Sequence, residues 1–128
     1  MTGPRRPGQG RTDINAQEQT QAIIEALESK KGERIAIFDM RGRSELTDAY
    51  VVVSGSSPPH LKALFNEVQH ALKEKGVTCY RRSGDPECGW MVLDYVDVII
   101  HIFLEDTRQY YAVETLWAQA PATATTPR

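Results

Sequence analysis

The chain has 128 residues, 15 of them basic and 17 acidic, for a net charge of −2 at pH 7. That length fits one domain with one core. Two cysteines, Cys79 and Cys88, exclude a disulfide framework or a zinc cage. No apolar run approaches the ~20 residues that span a bilayer, and the N-terminus lacks an apolar signal core. The expected location is therefore cytoplasmic.

Charge is unevenly distributed. Residues 1–15 carry three arginines against one aspartate, leaving twelve basic and sixteen acidic residues, −4, in the body. An acidic body counts against a direct nucleic-acid groove and suits a basic protein as partner.

In chain order, residues 1–15 are Gly, Pro and Arg with almost nothing to bury and predict a disordered basic tail. Asn15, with Glu18 three residues on, predicts a capping box at the start of a helix. Ile23, Ile24 and Leu27 give that helix an apolar stripe, and Lys30, Lys31 and Gly32 end it. Glu33 to Met40 reads as a strand, nearly continuous in Ile35, Ala36, Ile37 and Phe38 and so buried on both faces. Arg41, Gly42 and Arg43 form a turn. Tyr50 to Ser54 is a second strand. Pro58 or Pro59 then opens a helix whose apolar face is Leu61, Leu64, Phe65, Val68 and Leu72, closed by Lys73, Lys75 and Gly76. Val77 to Arg82 is a third strand, and the strand–helix–strand order predicts a parallel pair with the second. A polar loop, Ser83 to Cys88, follows. Gly89 to Tyr95 and Asp97 to Leu104 are two strands joined by a tight hairpin. Glu105 to Trp117 forms a turn and a short helix, with Leu116 and Trp117 packing home. The domain spans 16–118, and 119–128 is a small, polar, flexible tail.

Candidate chemistry is thin. Gly55-Ser56-Ser57 lies where phosphates often bind, but Pro58 and Pro59 remove N–H donors and no Walker lysine follows. Asp94 and Asp97 suggest a two-metal pair, yet an odd separation on one strand points them apart. The plainer reading is that Asp97 caps the hairpin turn and Asp94 faces solvent or a partner. His101, among Ile99, Ile100, Ile102 and Phe103, reads as a hydrogen-bonded structural imidazole, and His60 and His70 as solvated. No metal or cofactor is expected. Trp90 is either core beneath a helix or an exposed recognition residue, and periodicity leaves both open.

Three blocks, in order, carry a resemblance. The first is Leu46-Thr47-Asp48 with Tyr50-Val51-Val52-Val53-Ser54-Gly55-Ser56-Ser57, then His60 and Ala63. The second is Gly89-Trp90-Met91-Val92-Leu93-Asp94-Tyr95-Val96-Asp97-Val98, then His101-Ile102-Phe103. The third is Arg108, Tyr110-Tyr111 and Glu114-Thr115-Leu116-Trp117. Together they resemble the ribosomal silencing factor (Iojap/RsfS) family over about Gln17 to Pro121. Ala49 stands where that family usually has Tyr, Ser83-Gly84 where it has Glu-Gly, and Ala112 where it has Asp. The resemblance implies a single-domain α/β fold, a mixed sheet of about five strands flanked by helices. It is nucleotidyltransferase-like, without that superfamily's catalytic carboxylates.

It also implies a job without a reaction. The factor binds the large ribosomal subunit through ribosomal protein uL-fourteen and sterically blocks joining of the small subunit, repressing translation. Residues expected to meet the partner are Trp90 as an apolar anchor, Asp94 and His101 for polar specificity, and Glu105 and Asp106 toward a basic protein. Asp48 and Tyr50 border the same face, and Arg108 with Glu114 forms an internal ion pair. Two other classes are a metal-dependent nucleotidyltransferase, by fold analogy, and a general adaptor, homodimeric when free.

Overall fold

In the computed structural model, residues 14–41, 47–113 and 115 are described. Helix α1 (Ala16–Ser29) starts at Asn15, whose side chain accepts from Glu18 N at 2.8 Å while Glu18 returns the bond to Asn15 N at 3.0 Å. The capping box read from the sequence is therefore present. Its end differs from expectation. Lys31, not Gly32, takes the left-handed conformation, with φ of 64°. Gly32 serves a close approach instead: a Cβ there would lie 2.7 Å from Val53 Cγ2.

Strand β1 (Glu33–Asp39) pairs antiparallel with β2 (Ala49–Gly55). The ladder slips between Glu33 and Ala36, where Arg34 has φ of 52°. The irregularity aims the Arg34 carbonyl out of the sheet, which matters below. Helix α2 (Pro58–Glu74) follows, capped by Ser57, and Gly76 ends it at φ of 81°.

The third strand starts later than predicted. β3 runs Arg81–Asp85, and a 3-10 turn, Pro86–Cys88, replaces the rest of the expected loop. β4 (Trp90–Asp94) and β5 (Val98–Leu104) form the expected hairpin. The order is β1-β2-β5-β4-β3. The predicted parallel partner of β2 is thus corrected. β2 pairs in parallel with β5, and β3 is the far edge, running in the direction of β2 but with two strands between them. A crossover helix fixes strand direction, not adjacency. The β4–β5 hairpin fills the gap because β5, apolar on both faces, belongs in the centre.

α1 and α2 cover one face of the sheet. Ile23, Leu27, Leu61, Leu64 and Leu72 pack there on Val51, Val53, Leu93, Ile100 and Ile102, all fully buried. Each such side chain contributes about 1.5–3 kcal/mol by leaving water. A smaller cluster on the other face joins Ala36, Phe38, Met40, Val52, Phe103 and Val113. Among the described residues, only α3 (Glu105–Tyr111) and Val113 add to that second face. No helix of the described residues is long and apolar enough to cross a membrane.

Gly84 stands where β3 crosses close to β4. Its φ is 96°, and a Cβ would meet Trp90 O at 2.3 Å and Met91 Cα at 2.6 Å. Both are backbone atoms of a paired strand and cannot step aside. Gly84→Ala is expected to cost about 2 kcal/mol or more, from the clash and the left-handed strain together. Urea unfolding measures it, and a loss below about 0.5 kcal/mol, the spread of ordinary surface changes, contradicts the account.

Candidate functional site

Alternation along three central strands sets the second face. Tyr50, Val52 and Ser54 come from β2, Ile99, His101 and Phe103 from β5, and Trp90, Val92 and Asp94 from β4. Register puts Val92 and Val52 on either side of His101, and Trp90 beside Phe103. The result is a continuous aromatic patch. The Trp90 ring lies 4.8 Å from Phe103 and 5.3 Å from Tyr111, and Tyr50 meets His101 edge-on at 5.1 Å. Tyr111 and Tyr110 are 49% and 81% exposed, so the patch runs from a buried floor to an open rim.

Trp90 resolves into both alternatives. It is half-buried, packed on Phe103 and flanked by His101 and Tyr111. Its indole N–H donates to His101 Nδ1 at 3.2 Å. An indole nitrogen can only donate, so His101 accepts at Nδ1 and carries its proton on Nε2. Burial pushes the imidazole pKa down to about 4 from 6.5. His101 is therefore a neutral, positioned acceptor that holds Trp90 in one orientation.

A pH dependence follows. The unfolded histidine binds a proton near pH 6.5 and the folded one near pH 4, so the unfolded state holds more protons in that window. Stability from this group is full above pH 6.5, falls as pH drops toward 4, and is flat below. The total is about 3 kcal/mol. The carboxyls held below their usual range, Asp39 and Glu105, act at lower pH than most of this window. Urea midpoints at pH 7, 6 and 5 are expected to fall for the wild type and to fall much less for His101→Gln. Equal slopes would refute the assignment.

The aspartates depart from the roles expected of them. Asp94, not Asp97, holds the hairpin: its Oδ1 accepts from Val96 N at 2.8 Å, and Val96 turns left-handed at φ of 74°. Asp97 is buried at 7% exposure, and its carbonyl accepts from Asp48 N, Ala49 N and Thr47 Oγ1. It ties the hairpin to the start of β2. Among the described residues, no group of three or more His, Cys, Asp or Glu stands close enough to hold a metal ion.

α3 is held to the sheet by a buried cation. Arg108 is 1% exposed, and its Nη1 donates to the Arg34 carbonyl and to Ser54 Oγ, both at 2.8 Å. Ser54 Oγ donates to Glu105 Oε1 at 2.7 Å, and Glu105 also pairs with Arg34 and accepts from Gln109. Partial burial would raise the Glu105 pKa. Hydrogen bonds from Gln109 and Ser54, with the Arg34 and Arg108 charges, outweigh it and hold the carboxyl low. Glu105 is thus committed within the chain, while Asp106 beside it is exposed. Glu114, the expected partner of Arg108, lies outside the described residues, as do Leu116, Trp117, the tail 1–13, the turn at 42–46 and the tail 119–128.

Tyr50 borders the aromatic face as expected. Asp48 instead lines a separate hollow of about 380 Å³ at the start of α1, with Asp39 and Arg41. His70 is exposed near Glu74, but His60 is not merely solvated. Its Nδ1 accepts from Ser56 N at 2.9 Å and its Nε2 donates to Lys30 O at 2.7 Å, pinning α2 to the end of α1. That bond occupies a donor of the Gly55–Ser57 loop, in keeping with the reading against phosphate there. Tyr111, of a residue type that anchors recognition surfaces, joins the patch as that type suggests. Phe103 also lies in it and was not singled out as a site residue, although the period-2 spacing from His101 marks it.

The chain is a compact α/β domain with one face covered by two helices and a second, aromatic face that is only partly covered. Comparison with known proteins then fixes the family. The family model described as "Ribosomal silencing factor during starvation" matches residues 13–128. The chain is 38% identical over 112 residues to ribosomal silencing factor RsfS of Chromobacterium violaceum, covering 87% of this chain and 92% of that protein. It is 32% identical over 108 residues to the RsfS of Halalkalibacterium halodurans, covering 84% and 92%. A crystal structure of a Chromobacterium violaceum protein superposes with a TM-score of 0.78 at 37% identity, over 82% of this chain and 88% of that one. The chain belongs to the ribosomal silencing factor (RsfS) family, whose members are named for a regulatory role. A more distant mouse relative, 26% identical over 81% of this chain and 47% of its own length, is named for mitochondrial assembly of the ribosomal large subunit.

Proposed function

We propose that this protein binds the large ribosomal subunit through ribosomal protein uL-fourteen and thereby keeps the small subunit from joining. The observation that carries the reading is the aromatic face around half-buried Trp90, which runs from a buried floor to the exposed rings of Tyr110 and Tyr111. A domain gains nothing from leaving a half-buried indole and two exposed tyrosines side by side at the surface unless something covers them. Indole and phenol rings anchor interfaces because they bury large area with few rotamers to freeze. Exposed Asp106 and half-exposed Asp94 add negative charge near the patch, which suits a basic ribosomal protein. The relatives' names supply the ribosome as the setting.

The mechanism is competition for a surface and needs no bond made or broken. Its strength depends on affinity and concentration alone. Light scattering of mixed purified subunits tests it. Factor added to free large subunits is expected to lower association in proportion to occupancy, and factor added after joining to act slowly. Full association at saturating factor would refute the reading.

A further inference from the structure

The two flanks of α2 carry opposite charge. Toward α1, Glu25, Glu67 and Glu74, against the single cation Lys75, rim a groove floored by alanines. Toward β3, a hollow of about 430 Å³ is lined by His70, Lys73 and Arg82 with neutral Gln69, Cys79 and Tyr95, and no carboxylate lines it. The overall acidity of the body averages over these two flanks. A local basic site exists in spite of it.

The hollow is equipped with donors. Arg82 Nε donates to Gln69 Oε1 at 3.0 Å, which orients the guanidinium and leaves its terminal nitrogens directed elsewhere. Among the described residues, neither Lys73 nor Arg82 is ion-paired. Burial keeps the Tyr95 phenol neutral and protonated, so it adds no opposing charge. Lys62, Asn66, His70 and Lys73 follow one another at helical spacing, a polar row about 16 Å long beside the hollow. Just before β3, outside the lining of the hollow, Tyr80 is 57% exposed with the Arg81 guanidinium 5.4 Å above its ring. Lys62, Lys73 and Arg82 with an exposed aromatic ring at the same sheet edge are the combination that takes backbone phosphates and stacks an unpaired base.

We propose that the hollow between α2 and β3 binds the phosphate backbone of RNA. Its position favours a polymer over a small anion. β3 borders both surfaces: register with β4 sets Arg81 on the side of Asp94 and the aromatic face, while Arg82 reaches Gln69 on the helical side. A particle covering the sheet face meets the hollow at the same edge. The inference rests on the large-subunit reading for the identity of that RNA, though not for the binding itself.

Fluorescence anisotropy of labelled poly(U) at low salt tests it. Wild-type affinity is expected to fall with salt at a log–log slope of about −1.4 to −2, as for two or three phosphates on a single strand. K73E/R82E is expected to lose more than tenfold, and the milder K73Q/R82Q several-fold, with thermal unfolding confirming both fold. K30E/K75E, with the same change in net charge on other surfaces, should stay within threefold. No wild-type binding, or equal losses in both charge-reversed proteins, overturns the proposal. So does competition by uridine monophosphate at equal phosphate concentration, which indicates a mononucleotide site. Co-sedimentation separates the two readings. Trp90→Ala should abolish subunit binding yet keep poly(U) binding, and K73E/R82E should weaken subunit binding several-fold. Wild type that binds poly(U) through the hollow but not subunits refutes the silencing reading alone.

Discussion

Trp90→Ala is expected to reduce co-sedimentation with large subunits by at least about 30-fold, the scale of an interface hot spot worth ~2 kcal/mol or more. The indole sits at the centre of the patch, between Phe103, His101 and Tyr111. Truncation removes the contact area and also frees His101 Nδ1 from its donor. Because Trp90 is half-buried, the change also lowers stability, by about 1–3 kcal/mol against the ~3–5 expected for a fully buried ring. Phe103→Leu is the matched control. Phe103 is fully buried on the same face, so the change costs stability without touching a partner. Binding should survive it. If both variants lose binding equally, Trp90 acts through the fold. If Trp90→Ala binds as wild type does, the face is misplaced.

Arg108→Met is expected to lower unfolding free energy by about 2–3 kcal/mol. Methionine fills much of the aliphatic space but donates nothing. The Arg34 carbonyl and the buried Ser54 hydroxyl then lose a charged donor, and Glu105 loses a nearby cation. Tyr111 follows on the same helix one turn later, so a loosened α3 should also weaken partner binding several-fold. Glu105→Gln provides the contrast. The Glu105 side chain is 33% exposed and its Arg34 partner 50%, so water screens that pair and the cost should stay near 1 kcal/mol or less. Urea denaturation of the two variants distinguishes them. A cost for Arg108→Met no larger than for Glu105→Gln would show that α3 is held by packing alone.

The local elements were legible because their signals are local. A cap needs Asn15 and Glu18 three residues apart, and a helix face needs Leu61, Leu64, Val68 and Leu72 at helical spacing. The hairpin after Trp90 was legible from two apolar runs with almost no room between them. The left-handed residue at its turn was not, since Val96 is a poor candidate for positive φ. Nor was the division of labour between Asp94 and Asp97. Residues three apart compete for the same turn, and only the pairing of β4 with β5 chooses between them.

The sequence by itself determined the helices, four of the five strands close to their final bounds, the kinship carried by three ordered blocks, and Trp90 as the residue to watch. Each depends on neighbours within a few positions, where spacing alone dictates geometry. Tertiary structure decided what joins residues far apart. It set β5 rather than β3 beside β2, and it brought Arg108 to Arg34 and Ser54 across 74 and 54 positions. It also sorted the charges on α2 into an acidic flank and a basic one. Those outcomes follow from which faces must be buried together, a condition that no single segment of the chain can express.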